Sequence, residues 1–131
     1  MKKGKILVVD DNKGIRDALK ILLGSCFAQV QTIPSPTTLM TTIEEMMPDV
    51  ILLDMNFKTD INSGNEGLYW LSEIKSRWPE MPVVLFTAYA DIALAVEGMK
   101  RGASDFIVKP WDNAKLIETL TSIRDRKDAP K

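Results

Sequence analysis

The chain has 131 residues, 45% apolar and 27% charged, with 17 basic against 18 acidic side chains and a formal net charge of -1. These values describe one soluble globular domain with a single substantial core, and they give no electrostatic footprint for nucleic acid or an anionic membrane. The absence of histidine excludes His-based metal sites and Ser-His or Cys-His triads, and the lone Cys26 excludes an internal disulfide and fits a reducing compartment.

The basic start, Met1-Lys2-Lys3-Gly4-Lys5, is followed by too few apolar residues for a secretory leader, and no stretch approaches membrane-spanning length. A cytoplasmic protein is expected. Residues 5–9 form an apolar strand that runs into Asp10-Asp11-Asn12. Asn12 is placed to cap a helix, and Ile15, Ala18, Leu19, Leu22 and Leu23 then recur at helical spacing up to a stop at Gly24. A weaker strand is expected over 28–33. Ser35-Pro36 has the cap-then-proline form of a helix start, with Leu39, Ile43 and Met46 or Met47 inward and Pro48 as the stop.

Residues 50–53, Val-Ile-Leu-Leu, run straight into Asp54. An apolar run of this kind suits the central strand of a parallel sheet, and Asp54 then falls at the carboxyl edge, where open α/β sheets place their chemistry. A polar loop with turn chemistry at Asn62-Ser63-Gly64-Asn65 leads to a helix over 66–78, burying Leu68, Leu71, Ile74 and Trp78. Residues 82–86 form another buried strand and deliver Thr87-Ala88. Asp91 is expected to cap a helix that buries Ile92, Ala95, Val96 and Met99 and stops at Gly102. A last strand over 104–108 ends at Lys109-Pro110, and a helix over 112–124 buries Leu116, Ile117, Leu120 and Ile123.

Five strands alternating with five helices predict an α/β fold: a doubly wound, five-stranded parallel sheet, apolar on both faces of every strand, with helices on both sides. The domain is expected to occupy residues 1–124, leaving 125–131 as a charged tail or the start of a linker.

Four strand ends carry Asp10-Asp11, Asp54, Thr87 and Lys109, and a parallel sheet gathers them on one edge. Singly, each has an ordinary reading: the acids as caps and turns, Thr87 as a turn residue, Lys109 as a surface cation. Together, three crowded carboxylates call for a cation. Lys109 supplies one charge, and a hard divalent ion such as Mg²⁺ would supply the rest. The chemistry that follows is attack by the Asp54 carboxylate on phosphorus, giving an aspartyl phosphate, with Lys109 offsetting charge and Thr87 donating its hydroxyl to a phosphoryl oxygen.

Val8-Val9-Asp10-Asp11-Asn12, Leu52-Leu53-Asp54-Met55, Phe86-Thr87-Ala88 and Val108-Lys109-Pro110 together resemble the receiver domain of bacterial two-component response regulators, over nearly the whole chain. The resemblance implies that Asp54 accepts phosphate from a sensor histidine kinase or phosphotransfer protein. It also implies that Asp11, Asp54 and the main-chain carbonyl of Asn56 hold Mg²⁺, with Asp10 reaching it through water. It makes Thr87 and Phe106 a switch pair, although Phe106 also reads as a plain core aromatic, and it makes Lys109-Pro110 a cis bond. Such domains are not themselves turnover enzymes, and they commonly dimerise or meet effectors through the face of the fourth helix, fifth strand and fifth helix. Ala93, Leu94 and Met99 put extra apolar character there. Gly14, Ile15 and Ala18 are candidates to face a kinase.

The loop over 55–65 is longer than the family's usual one and lacks its Met-Pro; a tolerated surface insertion is the favoured reading. Tyr89 would overhang the site. Lys109-Pro110-Trp111-Asp112-Asn113 looks like receivers of sigma-54-type transcriptional activators. Three rival readings stand beside this one. A haloacid-dehalogenase-type enzyme needs an Asp-x-Asp that Asp10-Asp11-Asn12 does not provide. A flavodoxin-like cofactor binder needs a phosphate loop where this chain has acids. The third is an interaction module with a vestigial site.

Overall fold

A computed structural model describes residues 2–55 and 66–127. In chain order the elements are β1 (Lys5–Val9), α1 (Lys13–Leu23), β2 (Gln29–Ile33), α2 (Leu39–Met46), β3 (Val50–Asp54), α3 (Glu66–Arg77), β4 (Val83–Ala88), α4 (Ile92–Lys100), β5 (Asp105–Lys109) and α5 (Asn113–Lys127). The strands form one parallel sheet in the order β2-β1-β3-β4-β5. The expected α/β fold, a five-stranded doubly wound sheet, is the observed one.

Side chains alternate across a strand, so each central strand feeds two cores. Leu7, Val9, Ile51, Leu53, Val83 and Leu85 pack with Leu39 and Ile43 of α2 and Leu68, Leu71 and Ile74 of α3. Ile6, Val8, Val50, Leu52, Val84 and Phe86 pack on the other side with Leu19 and Leu23 of α1 and Leu116, Leu120 and Ile123 of α5. α4 joins the first layer, where Gly98 lies so close to the sheet that a Cβ would collide with Leu85. The expectation that all five strands are apolar on both faces holds for β1, β3 and β4 but not for the edges. β2 is half-exposed, with Gln29, Gln31 and Thr32 along it, and β5 is mostly half-buried, because an edge strand is covered less completely.

Helix ends follow side-chain chemistry where a donor or acceptor is in reach. The Asn12 side chain accepts from the Ile15 N–H at 3.0 Å, as its position predicted. Ser35 caps, and Pro36 opens, a single 3₁₀ turn (Pro36–Thr38) ahead of α2. Met47, not a glycine, ends α2 in the left-handed region at φ 46° and is exposed, while Met46 is the inward methionine. Asp91 makes no side-chain cap: Tyr89–Asp91 is another 3₁₀ turn, and α4 begins one residue later. Of the residues expected inside α4, Ala95 is buried but Val96 and Met99 are exposed. Ala18 is exposed on α1. α5 runs to Lys127, past the predicted end near Arg124.

Candidate phosphoryl and metal site

Register puts the functional side chains level. Val9 pairs with Leu53, Asp54 with Phe86 and Ala88 with Lys109, so Asp10, Asp54, Thr87 and Lys109 all leave the carboxyl edge together. Asp10, Asp54 and Thr87 are buried, while Asp11 and Lys109 are half-buried. The Lys109 ammonium bridges the two buried acids, with Nζ 3.1 Å from Asp10 Oδ2 and 3.2 Å from Asp54 Oδ1. It also sits 4.7 Å from the centroid of the Phe86 ring, whose far neighbour is Trp111 at 5.4 Å. The aromatic floor therefore limits where the cation can go. A cleft of about 520 Å³ opens over the acids, lined by Asp10, Asp11, Asp54, Ala88, Lys109 and the start of α1 through Ile15.

Each of Asp10, Asp11 and Asp54 offers an oxygen within 4.8 Å of the other two. Two oxygens bound on opposite sides of a Mg²⁺ ion at about 2.1 Å each lie about 4.2 Å apart, so this all-oxygen, anionic donor set fits a hard divalent cation after small adjustments. Asn56, the expected carbonyl ligand, and the long loop over 55–65 beyond Met55 lie outside the described residues.

The chain matches the response regulator receiver domain family over residues 6–121. The chain belongs to that family. It is 55% identical to the N-terminal receiver domain of a two-component response regulator from Bacteroides fragilis, whose crystal structure superposes with a TM-score of 0.85 over 94% of this chain and 98% of that one. It is 32% identical to the receiver domain of NtrX from Brucella abortus, with a TM-score of 0.82 over 92% and 98% of the two chains. Against the DNA-binding transcriptional regulator NtrC of Salmonella typhimurium it is 33% identical over its whole length, and it spans 28% of that relative.

Within this receiver the two expected switch residues share a face but not a contact with the cleft. Thr87 lies two residues beyond Leu85 on β4, and Phe106 pairs with Leu85 from β5. The Thr87 hydroxyl lies 3.4 Å from the carbonyl oxygens of Ala88 and Asp91, turned to the chain leading into α4. Among the described residues, the cleft lining takes Ala88 from this strand and not Thr87. Phe106 is half-buried against the core on the α4 side and lines a groove beside β5 with Trp111. Tyr89, expected to overhang, is largely exposed and is not among the cleft-lining residues described. Gly14 and Ile15 do line the cleft. Lys109-Pro110 is cis, as the resemblance implied. No helix among the described residues is long and apolar enough to cross a membrane.

Two contributions escaped sequence reading. Phe86 reads as an interior strand residue, and nothing local shows that its ring floors the lysine. Arg16 donates from Nη1 to the Asp10 carbonyl at 2.9 Å. Its position four residues after the Asn12 cap, on the same side of α1, was the available signal.

Proposed function

We propose that this receiver takes a phosphoryl group onto Asp54 from a histidine kinase or phosphotransfer protein, with Mg²⁺ held by Asp11 and Asp54 and by Asp10 through water. The observation that carries this reading is the Lys109 ammonium shared between two buried carboxylates at one end of an open cleft. An Asp54 oxygen forms a bond to phosphorus as the bond from phosphorus to the donor's imidazole nitrogen breaks, and no general base is needed because the carboxylate is already ionised. When bound, the metal offsets negative charge on the phosphoryl oxygens. Lys109 sheds part of its interaction with Asp54 to meet the new phosphoryl charge. The Asn56 carbonyl belongs to the same proposed ligand set.

The added charge of about -1.5 to -2 gives the Thr87 hydroxyl a stronger acceptor than the carbonyls it now faces. Rotation of Thr87 toward the cleft would vacate volume that Phe106 fills, altering the face made by α4, β5 and α5. That face is the proposed surface for a homodimer or an effector, and Gly14 and Ile15 at the cleft rim are the proposed kinase contacts. The whole serves a cytoplasmic phosphorelay that controls transcription, without direct nucleic-acid binding or enzymatic turnover by this domain. Residues 1–124 are the proposed receiver unit, with 125–131 as a charged tail or the start of a linker.

Intact-mass measurement after incubation with Mg²⁺ and acetyl phosphate tests the reading. The parent should gain one phosphoryl group and Asp54→Asn none. Equal labelling of both, or labelling of neither, would sink it.

A further inference from the structure

We propose that Arg16 is a positioning residue for the metal-binding acids, an inference that rests on the Mg²⁺ site proposed above. The guanidinium reaches back from α1 to the carbonyl oxygen of Asp10, 2.9 Å away. The β1–β2 pairing ends at Val9 and Ile33, so this carbonyl lies one residue beyond the last register pair. The remaining polar groups of Asp10 are held as well. Its N–H donates to the Ile33 carbonyl at 3.2 Å, Oδ1 accepts from the Asn12 N–H at 2.9 Å, and Oδ2 accepts from Lys109 at 3.1 Å.

Holding the Asp10 carbonyl has a consequence for the next residue. The peptide joining Asp10 to Asp11 is planar, so fixing its oxygen fixes the plane from which Asp11 leaves the strand. Arg16 is itself anchored, because its backbone N–H donates to the Asn12 carbonyl at 3.0 Å. Strand end, Asp10-Asp11-Asn12 turn and first turn of α1 thus form a closed loop with the guanidinium as its clasp. Its planar, always-charged fork suits a fixed bond to one oxygen. Partners bonded to the ligating groups themselves typically govern metal affinity by about 10–100-fold, and Arg16, acting one step further out through the backbone, belongs at the low end of that range.

The sign of the effect separates three roles. A cation that acted only by its charge would repel Mg²⁺, so its removal would tighten binding. A merely structural clasp would change stability and leave the affinity of the folded protein alone. Positioning predicts weaker binding. Calorimetric titration of the full chain with Mg²⁺ at fixed ionic strength, alongside urea unfolding in EDTA, reads all three. Arg16→Met, which keeps an apolar stem and removes donor and charge, should bind Mg²⁺ about 10-fold more weakly while fully folded. Arg16→Lys, which keeps a donor and the charge, should recover most of that loss.

Affinity in Arg16→Met within twofold of the parent, or tighter, overturns the proposal, as does a lysine variant no better than the methionine one. If Arg16→Met does not fold, Arg16→Gln is read by the same criteria. A parent that fails to bind Mg²⁺ sinks the metal site and this inference together. A parent that binds, with an unaltered variant, sinks the Arg16 role alone.

Discussion

Two cations lie over aromatic rings at opposite ends of the sheet, and their partners differ in kind. At the carboxyl edge Lys109 covers Phe86 and is shared by Asp10 and Asp54, beside Asp11. At the amino edge Arg124 covers Phe27 and donates to the main-chain carbonyls of Lys3 (3.2 Å) and Cys26 (2.7 Å), with Asp125 alongside. There the chain closes tightly: Gly4 has φ +83°, and a Cβ on it would lie 2.6 Å from Arg124 Cδ. At the amino edge the described partners of the buried cation are two main-chain carbonyls and Asp125. The carboxyl edge gathers Asp10, Asp11 and Asp54 beside Lys109 under an open cleft. One end fastens the fold, and the other carries the site proposed above.

The contrast is open to test from both ends. Arg124→Ala should cost the most, about 2–4 kcal/mol in urea unfolding, because two carbonyls lose their donor in a buried setting. Unaltered stability would mean that the amino edge is no fastening. Lys109→Met should cost about 1–3 kcal/mol in EDTA, less than for a fully enclosed pair because the cleft admits water. Mg²⁺ should restore part of that loss, and a variant indifferent to the metal would contradict the shared-cation picture.

Asp11→Asn should reduce the rise in melting temperature that Mg²⁺ produces in the parent, because a neutral amide is a weaker ligand for a hard cation than a carboxylate. An undiminished rise in that variant would show that Asp11 takes no part in holding the metal. The smallest effect belongs to Asp125. A hydrogen bond from Arg124, helped by Lys3, holds its carboxyl below the usual aspartate range. A depressed carboxyl stabilises the fold above the unfolded value of about 3.9, and that contribution fades as pH falls through the lower folded value. Asp125→Asn should therefore lose stability less steeply than the parent on acidification below about pH 4, and identical acid melts would contradict this.

Legibility in the sequence tracked how local each decision was. Asn12 caps α1 because its side chain needs only an N–H three residues on, and β3 is recognisable because four apolar residues precede Asp54. Asp91 stands at the N-cap of α4, as expected, but its side chain makes no capping bond there, and a 3₁₀ turn leads into the helix. Spacing alone points Val96 and Met99 inward, yet α4 packs closely through Gly98 and leaves both exposed. The Thr87 hydroxyl faces the Ala88 and Asp91 carbonyls, a choice of rotamer that spacing does not encode.

By itself the sequence determined the alternation of strands and helices, the doubly wound sheet, and the polar residues that end its strands. These follow from side-chain period and from local capping, which act over a few residues. Only the tertiary structure decided that one ammonium bridges Asp10 and Asp54 across 99 and 55 residues of chain, that Phe86 lies beneath it, and that Arg16 and Arg124 close their respective ends. Those contacts depend on strand order and register, which bring together atoms that no local pattern relates.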